Sequence, residues 1–284
     1  MNSTEHDMAQ KPWGYYSPQG KDRILSLVTR IGLSRGWLRQ PIKQMYSARK
    51  TRAPVDIRRF GLKWRLHPWD NTTESKLLVS SRQRDALEMK YIHESLGERG
   101  TFLDIGANAG YYSLMAARHG DRKIIAIEPN PIMLSRLRFN IEANHLNERI
   151  RIVAAAAGGT DGEMKLHLDD ANLGASSGLR SHAMQKETTV PVKTLATILQ
   201  ETKTDRIHAM KIDVEGMESE ILFPFFQQAA QSSWPSMVVM EHIHDITDTG
   251  RANILEWLQS AGYRVIARTG LNTVLQRGPG AAAD

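Results

Sequence analysis

The chain has 284 residues, of which 41% are hydrophobic and 24% charged, with a formal net charge of +6 and no cysteine. Such values exclude a fibre, a disordered polymer and a bundle of membrane spans, and the lack of thiols excludes disulfide frameworks, thiolate zinc sites and cysteine nucleophiles. The charge sits at the front: residues 1–65 hold 14 Lys/Arg against four Asp/Glu, a net +10, whereas the remainder holds 23 against 27.

In chain order, residues 1–12 carry Glu5, His6 and Asp7 without the apolar stretch of a secretory signal. No apolar run approaches the ~20 residues of a membrane span. The expected location is therefore the cytoplasm. Segment 22–50 repeats apolar residues at helical spacing (Ile24, Leu27, Val28, Ile31, then Leu38, Ile42, Met45) among seven Lys/Arg around Trp37. A basic amphipathic helix of this kind can dock on an anionic membrane at its inner face or pack on the main domain. Residues 57–67 alternate around Gly61 as a short hairpin, and 73–96 read as one helix.

After Gly100 strands alternate with helices. Strand Thr101–Ile105 leads through Gly106–Gly110 into a helix with Leu114 and Ala117. Strand Ile124–Ile127 precedes a helix opened by Pro131, and Ile150–Ala155 and Glu163–Leu168 are further strands. Residues 169–188 are a long polar loop, and Val190–Val192, interrupted by Pro191, reads as an edge strand. Ile207–Ile212, Met237–Met240, Tyr263–Ile266 and Thr273–Leu275 complete the strands. The alternation predicts an α/β domain whose parallel sheet has helices on both faces. Four parts follow: a basic, largely helical extension (1–55), a hairpin and helix leading into the core (56–100), the main domain (101–277) and a frayed tail (278–284).

Asp104-Ile105-Gly106-Ala107-Asn108-Ala109-Gly110 lies between a strand and a helix, where glycines admit a ligand to the backbone and the helix N-terminus presents N–H groups. Glu128 ends the next strand, suitably placed for a ribose diol. The spacing is not the G-x-G-x-x-G of nicotinamide enzymes, and an acidic residue at 104 suits cationic amine and sulfonium groups better than a pyrophosphate. S-adenosylmethionine is the ligand with that chemistry. Asp213 and Glu215 follow the strand that carries Lys211, and Glu241, His242 and His244 follow the next one. Acid-bearing strand ends side by side make either a base with its orienting partner or an oxygen/imidazole metal site, with Asp213, Glu241 and His242 as the ligands of Mg²⁺ or Mn²⁺. Solvated loop carboxylates are the plainer alternative.

Four stretches carry a resemblance: Phe102 to Ser113, Ala126 to Asn144 (with Glu128-Pro129-Asn130-Pro131), Ala156 to Gly162, and Met210-Lys211-Ile212-Asp213-Val214-Glu215-Gly216-Met217-Glu218. Together the sequence resembles the FkbM-type S-adenosylmethionine-dependent methyltransferases over roughly residues 100–245. The resemblance implies a Rossmann-like seven-stranded methyltransferase sheet and methyl transfer to oxygen, often of a sugar, glycolipid or polyketide hydroxyl. It further implies that Asp104, Gly106, Asn108 and Gly110 line the methionine end of the cofactor, that Glu128, followed by Pro129, takes the ribose, and that the Ala157–Asp161 turn lies near adenine. One departure is Ala196, where the family usually has Asp after Thr-Leu. Two other readings stay open. One is a methyltransferase of nucleic acid or protein, against which stand the missing Asn/Asp-Pro-Pro-aromatic motif and the lack of a basic stripe in the core. The other is a non-catalytic binding protein on the same fold.

Overall fold

The computed structural model describes residues 10–20, 23, 53–83, 85–168, 186–214, 216–241 and 254–278. The amphipathic stretch 22–50 (Arg23 apart), most of the 169–188 loop, Glu215, His242, His244 and residues 279–284 lie outside the described residues.

The hairpin is β1 (Val55–Arg59) and β2 (Leu62–Leu66), antiparallel with Ile57 opposite Trp64. A single helix over 73–96 is not what forms. Two helices do, α1 (Thr72–Val79) and α2 (Ala86–Leu96). Ser80 ends the first by turning its hydroxyl back on the Lys76 carbonyl (2.7 Å), a local bond that competes with continuing the helix. Asp85 then enters the second with φ +51°.

The main domain runs β3 (Thr101–Ile105), α3 (Tyr111–Ala117), β4 (Lys123–Ile127), α4 (Pro131–Ala143), β5 (Ile150–Val153), β6 (Ala156–Ala157), β7 (Gly162–Leu168), β8 (Lys186–Lys193), α5 (Leu195–Thr202), β9 (Ala209–Ile212), α6 (Glu218–Gln228), β10 (Met237–Glu241), α7 (Ile254–Ser260), β11 (Tyr263–Arg268) and β12 (Asn272–Arg277). Seven of these strands form one sheet in the order β11-β12-β10-β9-β3-β4-β5. It is mixed rather than wholly parallel, because β12 runs antiparallel to both neighbours, β10 and β11. A tight β11–β12 return leaves no length for a parallel crossover.

The expected strand Ile150–Ala155 stops at Val153. The next segment, Ala156–Ala157, joins β7 and β8 in a separate three-stranded sheet with β8 in the middle. The expected edge strand around Pro191 is thus eight residues long and central. Its proline is tolerated because β6 pairs only with Val192 and Lys193, leaving Pro191 paired on one side, with Glu163.

Strand alternation sorts the core into two layers. Phe102, Ile124, Ala126, Ala209 and Val239 face the hairpin and α1–α4, while Leu103, Ile105, Ile125, Met210, Ile212 and Val238 face α5–α7. Residues 11–20 of the extension form turns and irregular backbone, and Gln10 and Arg23 on either side are helical. It is clasped to the hairpin: Arg65 donates to the carbonyls of Lys11 (2.8 Å) and Pro12 (2.9 Å), and the Asp56 carboxylate accepts the N–H of Gly14 (2.8 Å). Asn140 and Asn144, one turn apart on α4, extend the hairpin edge by side chain: Asn140 Oδ1 accepts the Arg65 N–H, and Asn144 bonds both the N–H and the carbonyl of Lys63.

Candidate active site

From β3 the chain proceeds to β4 and β5 on one side, and from β9 to β10 on the other, so the strand order reverses between β3 and β9. In open α/β sheets ligands bind beyond the carboxyl ends of the strands at such a point. Asp104 and Lys211 are register partners there, and Ile105 pairs with Ile212. Both side chains therefore fall on the α1–α4 face of the sheet.

Asp104 is buried and accepts the Ser113 hydroxyl at 2.5 Å. Burial raises its pKa, with Lys211 pulling the other way. Burial equally opposes the charge of Lys211, but Asp213 and Asp104 outweigh it and its pKa is raised. The Lys211 ammonium donates to Asp213 Oδ2 at 2.8 Å and stands 4.8 Å from the centre of the Tyr112 ring. Lys211 is only 4% exposed in its side chain, Asp213 42%. A buried cation thus holds a carboxylate that reaches solvent.

The glycine loop has two positions, Gly106 and Gly110, where geometry demands glycine. Gly106 has φ +79°, and a Cβ there would collide with the Asp213 carbonyl oxygen, so the β3 and β9 loops close on each other only without a side chain. Gly106 and Ala107 both donate N–H groups to the Ile127 carbonyl at 3.0 Å. Asn108, with φ +54°, donates its N–H to Glu128 Oε2 (2.8 Å) and accepts the Asn71 amide (2.8 Å) at Oδ1. Gly110 has a packing reason as well: a Cβ there would meet Leu137 and Leu114.

Glu128 is buried at the end of β4, and its other oxygen takes the Asn130 N–H at 2.8 Å, across the half-buried Pro129. Burial pushes its pKa up to about 7, against the pull of the two backbone N–H groups. Asp104, Asn108, Glu128, Lys211 and Asp213 are thereby brought to one edge of the sheet. Glu241 ends β10, the strand beside β9, and faces Asn272 across β12. Glu215 and His242 are outside the described residues, so the set Asp213, Glu241 and His242 is only partly described. Among the described residues no cluster of three His, Asp or Glu could hold a metal.

Ala157 pairs with Lys193 in the small sheet. The carboxylate of Asp161 is engaged at the start of α5, accepting the Thr194 N–H (2.6 Å) and the Thr197 hydroxyl (2.7 Å). Ala196 lies in that same first turn, flanked by these two partners. Asn71 was not among the candidate residues. It caps α1 through Glu74 N–H and donates to Asn108 Oδ1 and Met133 Sδ. Its capping role was legible in Asn71-Thr72-Thr73-Glu74, but the contact with Asn108 spans 37 positions and leaves no local signal.

The arrangement fits S-adenosylmethionine. A glycine-lined approach lies between a carboxylate suited to a ribose and a site where Asp104 and Asp213 outnumber the single cation Lys211. Residues 104–265 match the family described as the Methyltransferase FkbM domain. No curated protein matches the chain. Among solved structures, the METTL16 MTase domain is similar at 14% identity and a TM-score of 0.47, over 76% of this chain and 73% of that one. M. jannaschii TYW2 in complex with AdoMet is similar at 14% identity and a TM-score of 0.41, over 81% of this chain and 89% of that one. The O-methyltransferase from Bacillus cereus in complex with SAH is similar at 12% identity and a TM-score of 0.42, over 69% and 84%.

Proposed function

The chain belongs to the FkbM methyltransferase family and is an S-adenosylmethionine-dependent methyltransferase; from that premise we propose that it methylates a hydroxyl oxygen of a carbohydrate, glycolipid or similar small-molecule acceptor. The observation that carries this reading is the Lys211–Asp213 pair at the strand reversal, 2.8 Å apart, with the lysine buried and the aspartate reaching solvent. S-adenosylmethionine supplies, when bound, a methyl group on a cationic sulfonium that an oxygen nucleophile can displace. Asp104 and the Gly106–Gly110 loop would hold its methionine end, and Glu128 its ribose.

An alcohol must lose its proton as its oxygen attacks, since its own pKa lies far above neutrality. Asp213 is the group to take it. Lys211 fixes the carboxylate in place, its ammonium donating to Asp213 Oδ2 at 2.8 Å. A base so placed contributes about 10²–10⁴-fold, and alignment of the acceptor contributes further. Asp104, buried beside Lys211, would add negative potential for the cationic end of the cofactor. The site residues thus supply orientation, charge and a proton acceptor.

The net +10 of residues 1–65 supports a further part of the reading, that the enzyme works at an anionic membrane surface where a lipid-linked sugar is found. No described helix is long and apolar enough to cross a membrane. The test of the chemistry is methyl transfer from methyl-labelled S-adenosylmethionine to separated glycan, lipid, RNA and protein fractions. Label is expected in the glycan or glycolipid fraction, as an alkali-stable ether. Label confined to RNA or protein would replace this reading with the macromolecular one. Sedimentation with anionic and neutral vesicles at low and high salt tests the membrane part, with salt-sensitive binding to anionic vesicles expected.

A further inference from the structure

On the side of the molecule that bears the active site lies a cavity that the chemistry above does not use. It is about 560 Å³ in volume, between the α1–α2 connection (Lys76, Ser80, Arg82) and the β11–β12 turn (Thr269 to Asn272). Sites for small molecules span about 300–1,000 Å³. Its position ties it to the reacting groups on two sides. Asn272 is the register partner of Glu241, the last residue of β10, the strand next to the one bearing Lys211. Asp85 and Glu88, from the first turn of α2, line the cavity and also act on Tyr112, whose pKa is raised well above the usual value by burial and then by these two carboxylates. The Tyr112 ring carries the Lys211 ammonium at 4.8 Å from its centre.

We propose that this cavity is the acceptor pocket and that a sugar ring occupies it; the proposal rests on the O-methyltransferase reading above. The lining decides the class of occupant. Among the described lining residues Lys76 and Arg82 are balanced by Asp85 and Glu88, so these side chains together carry no net charge with which to select a highly anionic polymer. Ser80, Gln83, Thr269 and Asn272 present neutral donors and acceptors suited to hydroxyl groups. The β11–β12 wall is rigid, because the buried Glu88 accepts both the Thr269 hydroxyl (2.6 Å) and the Asn272 amide (3.1 Å). Leu87 and Leu271, one from each wall, are 41% and 48% exposed, and two of the three large hydrophobic residues left exposed among the described residues. Leucines beside neutral polar groups match a pyranose, which has an apolar C–H face and a rim of hydroxyls. Among the described residues no aromatic side chain lines the cavity, so none of them offers an extruded nucleobase the stacking surface that such bases use.

The test uses the full chain loaded with S-adenosylhomocysteine and a mixture of the methyl glycosides of glucose, galactose, mannose, rhamnose and N-acetylglucosamine as probe. Saturation-transfer NMR reads contact with each sugar, and calorimetry reads S-adenosylhomocysteine affinity. At least one glycoside should receive saturation, and the Leu87→Asp/Leu271→Asp double variant should lose at least fivefold of it while S-adenosylhomocysteine affinity stays within twofold. That retained affinity also shows that the variant is folded. Undiminished sugar contact in the double variant would place the acceptor elsewhere, and no sugar contact in the parent chain would remove the sugar as occupant; either overturns the proposal. Failure of the parent chain to bind S-adenosylhomocysteine is a different result, which strikes the methyltransferase reading itself.

Discussion

Two groups of buried carboxylates in this protein are treated in opposite ways. Beneath the hairpin, Glu74 and Asp70 receive the Arg136 guanidinium, each at 2.8 Å. Burial alone would raise the Glu74 pKa, but the charge of Arg136 and the hydrogen bonds of His67 and Arg136 overcome it, and the pKa is lowered. At the strand reversal, Asp104 and Glu128 are just as buried, and burial wins: both pKa values are raised, that of Glu128 to about 7. A guanidinium fork matches two carboxylates geometrically, whereas Lys211 offers one ammonium already bonded to Asp213. The first network holds α1 to α4. The second leaves negative charge undercompensated, which costs stability in the empty protein and suits a cationic ligand.

The comparison can be broken most forcefully at Arg136. Arg136→Leu strands two carboxylates, and breaking a buried pair from one side costs about 3–5 kcal/mol. Urea denaturation should show a loss of that size, and a change near zero would show the Glu74 network to be dispensable. Next comes Asp213→Asn, which should cut turnover by about 10²-fold or more while leaving S-adenosylmethionine affinity within a few-fold, as expected of a base. Single-turnover methyl transfer and calorimetry read the two quantities, and full turnover would displace Asp213 from the mechanism. Smaller again, Asp104→Ala and Glu128→Ala should each weaken cofactor binding by roughly 1.5–3 kcal/mol through lost charge-assisted hydrogen bonds. Calorimetry on both folded variants checks this, and unchanged affinity in each would sever the site from the cofactor.

The mildest test uses pH, and the two regions should respond with opposite sign. Glu74, with its folded pKa lowered, contributes stability present above the ordinary carboxylate pKa and lost as pH falls through the folded value. Glu128, with its folded pKa raised from 4.5 to about 7, contributes stability present below 4.5 and lost as pH rises through 7. The ribose-binding form of Glu128 is the ionised one, so cofactor affinity should fall about tenfold from pH 8 to pH 6, following the ionised fraction of a group titrating near 7. Glu128→Gln should flatten that profile. A parent profile flat across this range would contradict the assignment.

Much of this architecture was legible along the chain. Thr101–Ile105 with its glycine loop, the Glu128 strand end and the Pro131 helix start each depend on residues within one turn or one strand, where apolar period and glycine placement are strong signals. The boundaries between α1 and α2, and between β5 and β6, were not legible, since a serine hydroxyl turned on its own helix and a two-residue strand lack a periodic pattern. Asn71 reaches Asn108, and Glu88 reaches Thr269 and Asn272, by contacts whose partners lie far apart in the chain. Spacing along one sequence carries no information about such pairs.

The sequence by itself determined the cofactor chemistry, because a strand, a glycine turn, a helix N-terminus and two strand-end carboxylates are local features with local causes. Tertiary structure alone decided which strands share a sheet and what meets at its edge. Glu163–Leu168 and Lys186–Lys193 have the same texture as the strands of the main sheet, yet they pair apart from it. Register and pairing depend on which apolar faces find each other across the molecule. The same long-range pairing sets Lys211 opposite Asp104, brings the Gly106 backbone against Asp213, and opens the polar cavity between the α1–α2 connection and the β11–β12 turn.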